Sequence, residues 1–180
     1  MDLVERYADR RWRLANLYKI KDAEGRCVTF RPNWAQRALL DEAHAMNVIL
    51  KARQLGFTTL IQLIMLDACL FNANTAAGTI AHRLEDAGEI FNDKIRYAYD
   101  HLDPDLKAAV PAVQDSARKL SFANGSQIRV DSSLRSGTFQ MLHISEHGKL
   151  CARYPAKAEE VRTGALNAVH AGQTVFIEST

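Results

Sequence analysis

The chain has 180 residues, enough for one domain of ordinary size. Its 47% hydrophobic and 24% charged residues describe a globular fold with a core of its own and exclude a disordered tail. Lys and Arg number 23 against 21 Asp and Glu, a net charge of +2, so a nucleic-acid contact must come from local clustering and not from a globally basic surface. Cys27, Cys69 and Cys151 are odd in number and far apart, which gives neither a disulfide framework nor a metal knuckle and points to a reducing compartment. The opening Met1–Arg6 is charged, unlike a signal peptide, and the longest apolar run, Leu60–Phe71, is interrupted by Gln62 and Asp67 and is too short for a membrane span.

Short β-rich runs alternate with longer helical segments along the chain, the pattern of an α/β sheet protein. Arg10–Tyr18 is a basic, aromatic helical lead-in, and Cys27–Phe30 a short strand. Asn33 caps a helix from Trp34 to about Ala45. Asn47–Lys51 reads as the first buried strand, followed by a turn containing Gly56 and an apolar helix from Thr58 to Phe71. Gly78–His82 is a second strand. Arg83–Asp100 is an amphipathic helix with Ala87, Ile90, Phe91 and Ile95 on one face. Leu120–Ala123 and Gln127–Val130 flank Asn124-Gly125, a two-residue hairpin signal. Met141–Ser145 is a strand, Pro155 to about Asn167 a helix, and Thr174–Ile177 the last strand. Nothing repeats and no linker intervenes, so one domain is expected.

The run Leu50 to Thr59, LKARQLGFTT, places a strand, a tight turn and a helix opening with two threonines in succession. A helix N-terminus offers free N–H groups and a positive dipole end to an anion, so this segment has the makings of a phosphate cradle. Against the pattern G-x-x-x-x-G-K-[ST], Lys51 stands at the first Gly, Phe57 at the Lys, and Thr58 at the Mg²⁺-binding hydroxyl. Phe57 removes the cation that normally reaches the phosphates, and Lys51 and Arg53 are the local replacements. A common strand–turn–helix connection with a solvated Arg-Gln pair accounts for the same residues when the segment is taken alone.

Leu142–Glu146, LHISE, is an apolar strand ending in an acid. Motor enzymes of the phosphate-loop type place a metal-organising acid and a catalytic carboxylate at such a strand end, where the carboxylate orients and deprotonates the attacking water. Here Ser145 occupies the place of the usual Asp, and Glu146 follows. A serine can hold a Mg²⁺-bound water but brings no charge, so the metal would lean on Thr58 and the phosphates. A strand-end glutamate facing solvent is the plain alternative.

Together, KARQLGFTT, LHISEHGKLCARYPAKAEEVRTGALNAV and TVFIEST resemble the large terminase subunit of tailed bacteriophages, the ATPase motor and nuclease that packages viral DNA. The upstream LANLYKIKDAEGRCVTFRPNWAQ resembles that family's lead-in, so the likeness spans nearly the whole chain. It implies a P-loop NTPase fold of the ASCE, RecA-like kind: a mostly parallel sheet flanked by helices, with an antiparallel hairpin insertion. It implies ATP and Mg²⁺ as cofactors. Lys51, Ala52, Arg53, Gln54, Leu55, Gly56, Phe57, Thr58 and Thr59 form the nucleotide loop, with Lys51 as a displaced cation and Arg53 as a sensor or finger for the γ-phosphate. Gln36 matches the amide that reads the adenine edge, and Glu146 the catalytic carboxylate. Thr58 and Ser145 take the metal positions, and Ser179-Thr180 begins the motif that couples hydrolysis to DNA movement. The implied partners are double-stranded DNA, the portal protein, the small terminase subunit and further copies in a ring, with no membrane. The implied setting is the host cytoplasm, with transient docking on the procapsid. The last strand stops within the coupling motif, so the 180 residues read as a motor domain cut before its end and before any nuclease.

Two other functions fit some of these residues: a helicase-like translocase, and a catalytically weak nucleotide-binding assembly module, the latter motivated by Ser145 and Phe57. Other constellations point less far. His143 and His147 do not converge on a strand and have no third ligand, so zinc is not expected. Ser145-Glu146-His147 is no hydrolase triad, since adjacent strand residues face opposite ways. Arg129, Asp131, Arg135 and Gly137 border a polar loop, Ser132–Thr138, that reads as a solvated connection with Arg135 as its one functional candidate. Arg10, Arg11, Arg13, Lys19 and Lys21, with Trp12 and Tyr18, are of a kind to meet DNA or a partner, but fit a solvated amphipathic helix with a buried Trp better.

Overall fold

Apolar strands long enough to cross a sheet but too short for a helix alternate here with helices that carry one apolar face, and the three-layer outcome follows. The computed structural model describes residues 2–134, 138–166 and 173–180. Two short helices, α1 (Leu3–Ala8) and α2 (Arg10–Asn16), precede a small antiparallel pair, β1 (Lys19–Lys21) and β2 (Cys27–Thr29). Then come α3 (Trp34–Glu42), β3 (Met46–Leu50), α4 (Phe57–Phe71) and β4 (Ala76–Ile80). A long helical stretch follows as α5 (Leu84–Ile90), a π-helical turn (Phe91–Arg96) and α6 (Tyr97–Asp100). After α7 (Pro104–Ala109) a meander runs through β5 (Ala112–Ser116), β6 (Lys119–Phe122) and β7 (Gln127–Asp131). The chain closes with β8 (Met141–Ile144), α8 (His147–Arg153), α9 (Pro155–Glu160), a second π-helical turn (Val161–Ala165) and β9 (Thr174–Ser179).

Among the described residues, seven strands form one sheet in the order β3-β9-β8-β4-β7-β6-β5. The first five are mutually parallel, and the hairpin strands β6 and β5 extend the sheet antiparallel at its far edge. Each face of the sheet is covered. On one side α4 is buried at eleven of its fifteen positions and packs with Leu14, Tyr18, Phe91, Ile95 and Phe176. On the other, Leu142, Ile144 and Val175 pack with Leu150 and Val161. The alternation of strand side chains delivers this split, since Val175 and Phe176 of β9 enter opposite layers. The expected α/β, mostly parallel architecture with a hairpin insertion is the one observed.

Several expectations are corrected. The strand at Asn47 is the sheet edge and not a buried strand, with Val48 76% and Leu50 86% exposed. An apolar run of this length looks the same whether one face or both are covered. Asn124-Gly125 does not form a two-residue turn. Phe122 N–H donates to the Ser126 carbonyl, and the loop Ala123-Asn124-Gly125 carries Gly125 at φ 83°, a three-residue hairpin with its left-handed position on the glycine. The capped helix at Trp34 stops at Glu42. Trp12 is only half-buried; Arg13, Leu14 and Tyr18 are the buried members of that segment. The helix from Pro155 turns π-helical at Val161, and its expected end at Asn167, like Arg135, Ser136 and Gly137, lies outside the described residues.

Candidate active site

The parallel strands β3, β8 and β9 end on the same side, and the loop after β3 passes over these ends before α4 begins. Its exit is braced by the N-terminus of α3. Asn33 and Gln36 cap each other's backbone there, and their side-chain amides reach across, Asn33 Nδ2 to the Leu55 carbonyl at 3.1 Å and Gln36 Nε2 to the Gly56 carbonyl at 2.7 Å. Gly56 sits at φ 71°, and a Cβ there would lie 2.7 Å from Gln36 Nε2, so both conformation and space call for glycine. Gly56 caps α4 without a side-chain bond, leaving the N–H groups of a fifteen-residue helix to other acceptors. Ala52, Arg53 and Gln54 are exposed, Gln54 in the left-handed region at φ 65°, while Phe57 is buried. The aromatic at the position of the usual lysine therefore serves packing.

Lys51 is the cation of this site. Its side chain is 8% exposed and its Nζ stands 3.4 Å from Glu146 Oε1 and 4.0 Å from Glu178 Oε2. Glu146 follows β8 in a left-handed conformation, φ 53° and ψ 47°, a strained position for a glutamate and one that persists where surroundings dictate it. Thr180 Oγ1 donates to Glu146 Oε2 at 2.9 Å, and Lys149 Nζ stands 3.1 Å from the same oxygen. Burial pushes the Glu146 carboxyl up, but Thr180, Lys149 and Lys51 together hold it below the ordinary carboxylate range. Next to it, the Gly148 N–H donates to Ser179 Oγ at 3.0 Å, an approach in which a Cβ at 148 would come within 2.6 Å of that hydroxyl. Ser179 and Thr180 thus both hold the Glu146 turn from the end of β9.

Sequence reasoning missed the centre of the site. Glu178 is fully buried on β9, between β3 and β8, with Ile49 beside it in the register. Its Oε1 accepts from Thr58 Oγ1 at 2.5 Å and from Ser145 Oγ at 3.2 Å, and lies 3.3 Å from His143 Nε2. Oε2 makes no hydrogen bond among the described residues. Gln62 Nε2 lies 2.7 Å from His143 Nδ1; with Gln62 donating there, the imidazole proton is on Nε2, which is buried beside Glu178 without hydrogen-bond geometry to it. Burial pushes the Glu178 carboxyl up; the His143 imidazole, the Thr58 hydroxyl and the Lys51 ammonium outweigh it, and the net direction is down. The signal available in sequence was a lone acid inside the apolar strand Val175–Ser179. Among the described residues, no group of three or more His, Cys, Asp and Glu converges as a self-contained metal site.

Of the expected site residues, the fold brings Lys51, Thr58, Ser145, Glu146, Ser179 and Thr180 together around Glu178. Arg53 is on the loop but exposed. Gln36, expected at the adenine edge, is 4% exposed and has both ends of its amide engaged within the protein, on Asn33 and Gly56. No helix among the described residues is long and apolar enough to cross a membrane.

No protein-family profile matches the chain, and no curated protein does. Among solved structures, the large terminase ATPase domain of Thermus phage P74-26 is similar at a TM-score of 0.51 and 16% identity, over 84% of this chain and 70% of that one. An arginine-to-alanine mutant of the same domain aligns over the same shares at a TM-score of 0.49. This chain therefore has the fold of a phage large terminase ATPase domain.

Proposed function

We propose that the chain is the ATP-hydrolysing motor domain of a viral terminase large subunit that drives double-stranded DNA into procapsids. One observation carries the reading: a strand-end carboxylate, Glu146, stands across a buried lysine, Lys51, from the uncapped N-terminus of α4. The triphosphate fits against the α4 N-terminus, where backbone N–H groups and the helix dipole favour negative charge. Lys51 supplies the cation that Phe57 does not, and Arg53, exposed on the same loop, is free to serve as the γ-phosphate sensor or finger. Gln36 and Asn33 brace the loop so that its backbone keeps one course.

A divalent ion suits this donor set, because two hydroxyls converge on one buried carboxylate oxygen while the other oxygen has no hydrogen bond. Thr58 and Ser145 would hold Mg²⁺, which when bound neutralises charge on the β- and γ-phosphates. Glu146, ionised at neutral pH, orients the attacking water and accepts its proton. Lys149 and Thr180 keep one carboxylate oxygen occupied, leaving the other, beside Lys51, to the water. Ser179 and Thr180, bonded to the Glu146 turn, give β9 a direct mechanical link to the reacting end.

Glu146→Gln is the test. Phosphate release is expected to fall by about 10²–10⁴-fold with nucleotide binding kept within a few-fold, as for loss of a general base. Turnover at the parent rate would remove Glu146 from this role. Stimulation of hydrolysis by portal-bearing procapsids and DNA supports packaging with portal, small subunit and a ring of copies as partners. Duplex unwinding without them favours a helicase-like translocase, and binding without turnover even in their presence an assembly module.

A further inference from the structure

Glu178 is an acid at a core position. Burial costs a carboxylate several kcal/mol of lost hydration, which His143, Thr58 and Lys51 offset here, yet the group is fully buried and one of its oxygens lacks a hydrogen bond among the described residues. An apolar residue would serve the strand better, since its neighbours Val175 and Phe176 are core. The position explains the acid. Ile144 pairs with Ile177 in the parallel register of β8 and β9, so the residue after each strand partner, Ser145 and Glu178, lie side by side. The acid missing from 145 is present one strand over, and Ser145 Oγ donates to it.

We infer that Glu178 is the metal-organising carboxylate of this site, replacing from β9 the acid that β8 lacks at Ser145. The inference rests on the proposed phosphate-loop reading. The chemistry is specific to these partners. A threonine hydroxyl ligates a hard cation through its lone pairs only when its proton points elsewhere, and Thr58 gives its proton to Glu178 Oε1 at 2.5 Å. Oε2 faces Lys51 at 4.0 Å, without a hydrogen bond, on the side of the loop where phosphate charge would arrive. His143, itself positioned by Gln62, packs against the same carboxylate with Nε2 3.3 Å from Oε1. Glu178 is therefore a positioning residue for the metal, and Glu146 remains the group that meets water.

The experiment measures Mn²⁺ binding by electron paramagnetic resonance, in the presence of a saturating non-hydrolysable ATP analogue, with nucleotide affinity followed separately with and without Mn²⁺. Glu178→Gln is expected to weaken Mn²⁺ binding by about 10–100-fold, the usual effect of losing an outer-shell carboxylate, while metal-free nucleotide affinity stays within about 3-fold. Ser145→Asp combined with Glu178→Gln restores the acid to β8 and is expected to recover most of the loss. Unchanged Mn²⁺ affinity in Glu178→Gln, or a double variant no better than the single, overturns the inference while leaving the nucleotide site intact. A parent protein that binds no nucleotide under any condition overturns the proposed function, and the inference with it. Should the single variant fail to fold, the double variant alone decides: metal affinity near the parent supports the exchange of acids, and affinity at the level of free nucleotide refutes it.

Discussion

Among the described residues two carboxylates are fully buried, Asp67 near the middle of α4 and Glu178 near the end of β9, and they are completed in opposite ways. Asp67 is closed. Arg13 meets it bidentately, Nε to Oδ1 at 2.9 Å and Nη2 to Oδ2 at 2.7 Å, and Tyr18 donates to Oδ1 at 2.7 Å. The same guanidinium donates to the Tyr7 and Ala8 carbonyls, so α1, α2 and α4 are tied through one side chain. Burial lowers the Arg13 proton affinity, and Asp67 more than reverses it; burial and Asp67 together push the Tyr18 hydroxyl well above its ordinary value. Glu178 is open: three groups crowd one oxygen and none donates to the other. Equal burial with unequal completion separates a clamp that holds the lead-in helices from a site poised for a ligand.

The largest expected effect breaks the clamp. Arg13→Ala leaves Asp67 buried without its cation, a change of about 3–5 kcal/mol, read as a lowered denaturation midpoint with nucleotide affinity of the folded fraction unchanged. Glu178→Gln removes a charge whose partners were never complete, and is expected to cost about 1 kcal/mol or less, the scale of an ordinary hydrogen bond. If the two variants lose equal stability, the distinction between closed and open carboxylate fails.

A smaller effect lies in pH. The folded Glu146 carboxyl is held below its ordinary value of 4.5, so its contribution to stability is present above that value and is lost as pH falls through the lowered folded one. The midpoint difference between the parent and Glu146→Gln is therefore expected to be constant near neutrality and to narrow below pH 4.5. A gap that widens on acidification would mean that the carboxyl is held above, and not below, its ordinary value.

How much of this was legible in the sequence varies with the kind of signal. The Asn33 cap, the helix after Gly56, the β8 strand and the α/β class follow from local chemistry and periodicity, the mostly parallel sheet from the family resemblance, and all are present. The Asp103-Pro104 start of α7 also carries a local signal, a cap followed by proline at the first helical position. Helix α8 had almost none, because HGKLCAR offers only Leu150 to the core. The edge position of β3 and the meander strand β5 depend on which strand sits beside which, and no local pattern encodes that. The candidate site divides the same way. Lys51, Thr58 and Glu146 stand out by spacing and strand position, whereas Glu178 matters only because β9 inserts between β3 and β8. Gln36 shows the converse: an amide of the right type at the right place, engaged by its own capping box and the neighbouring loop. Arg13 looks in sequence like one of a solvated basic group, and nothing local says that its partner lies 54 residues onward.

The smallest expected effect is that of Glu178→Gln on a thiol buried beside the clamp. Cys69 lies two residues beyond Asp67 on α4, fully buried, and burial pushes its thiol up to about 12, whereas Cys27 and Cys151 are exposed. Thiol reagents at neutral pH should therefore label two cysteines at once and the third only through opening of α4, since the reactive species is the thiolate and it must be reachable. The rate at Cys69 then reports the free energy of that opening, by about tenfold for each 1.4 kcal/mol. Arg13→Ala should accelerate it strongly, because the opened α4 no longer has to break the Asp67 pair. Glu178→Gln should leave it near the parent rate, because the open carboxylate sits at the far end of the helix, against Thr58. If Cys69 labels equally fast in both variants, α4 opens as one unit with the nucleotide site, and the two carboxylates belong to a single cooperative structure.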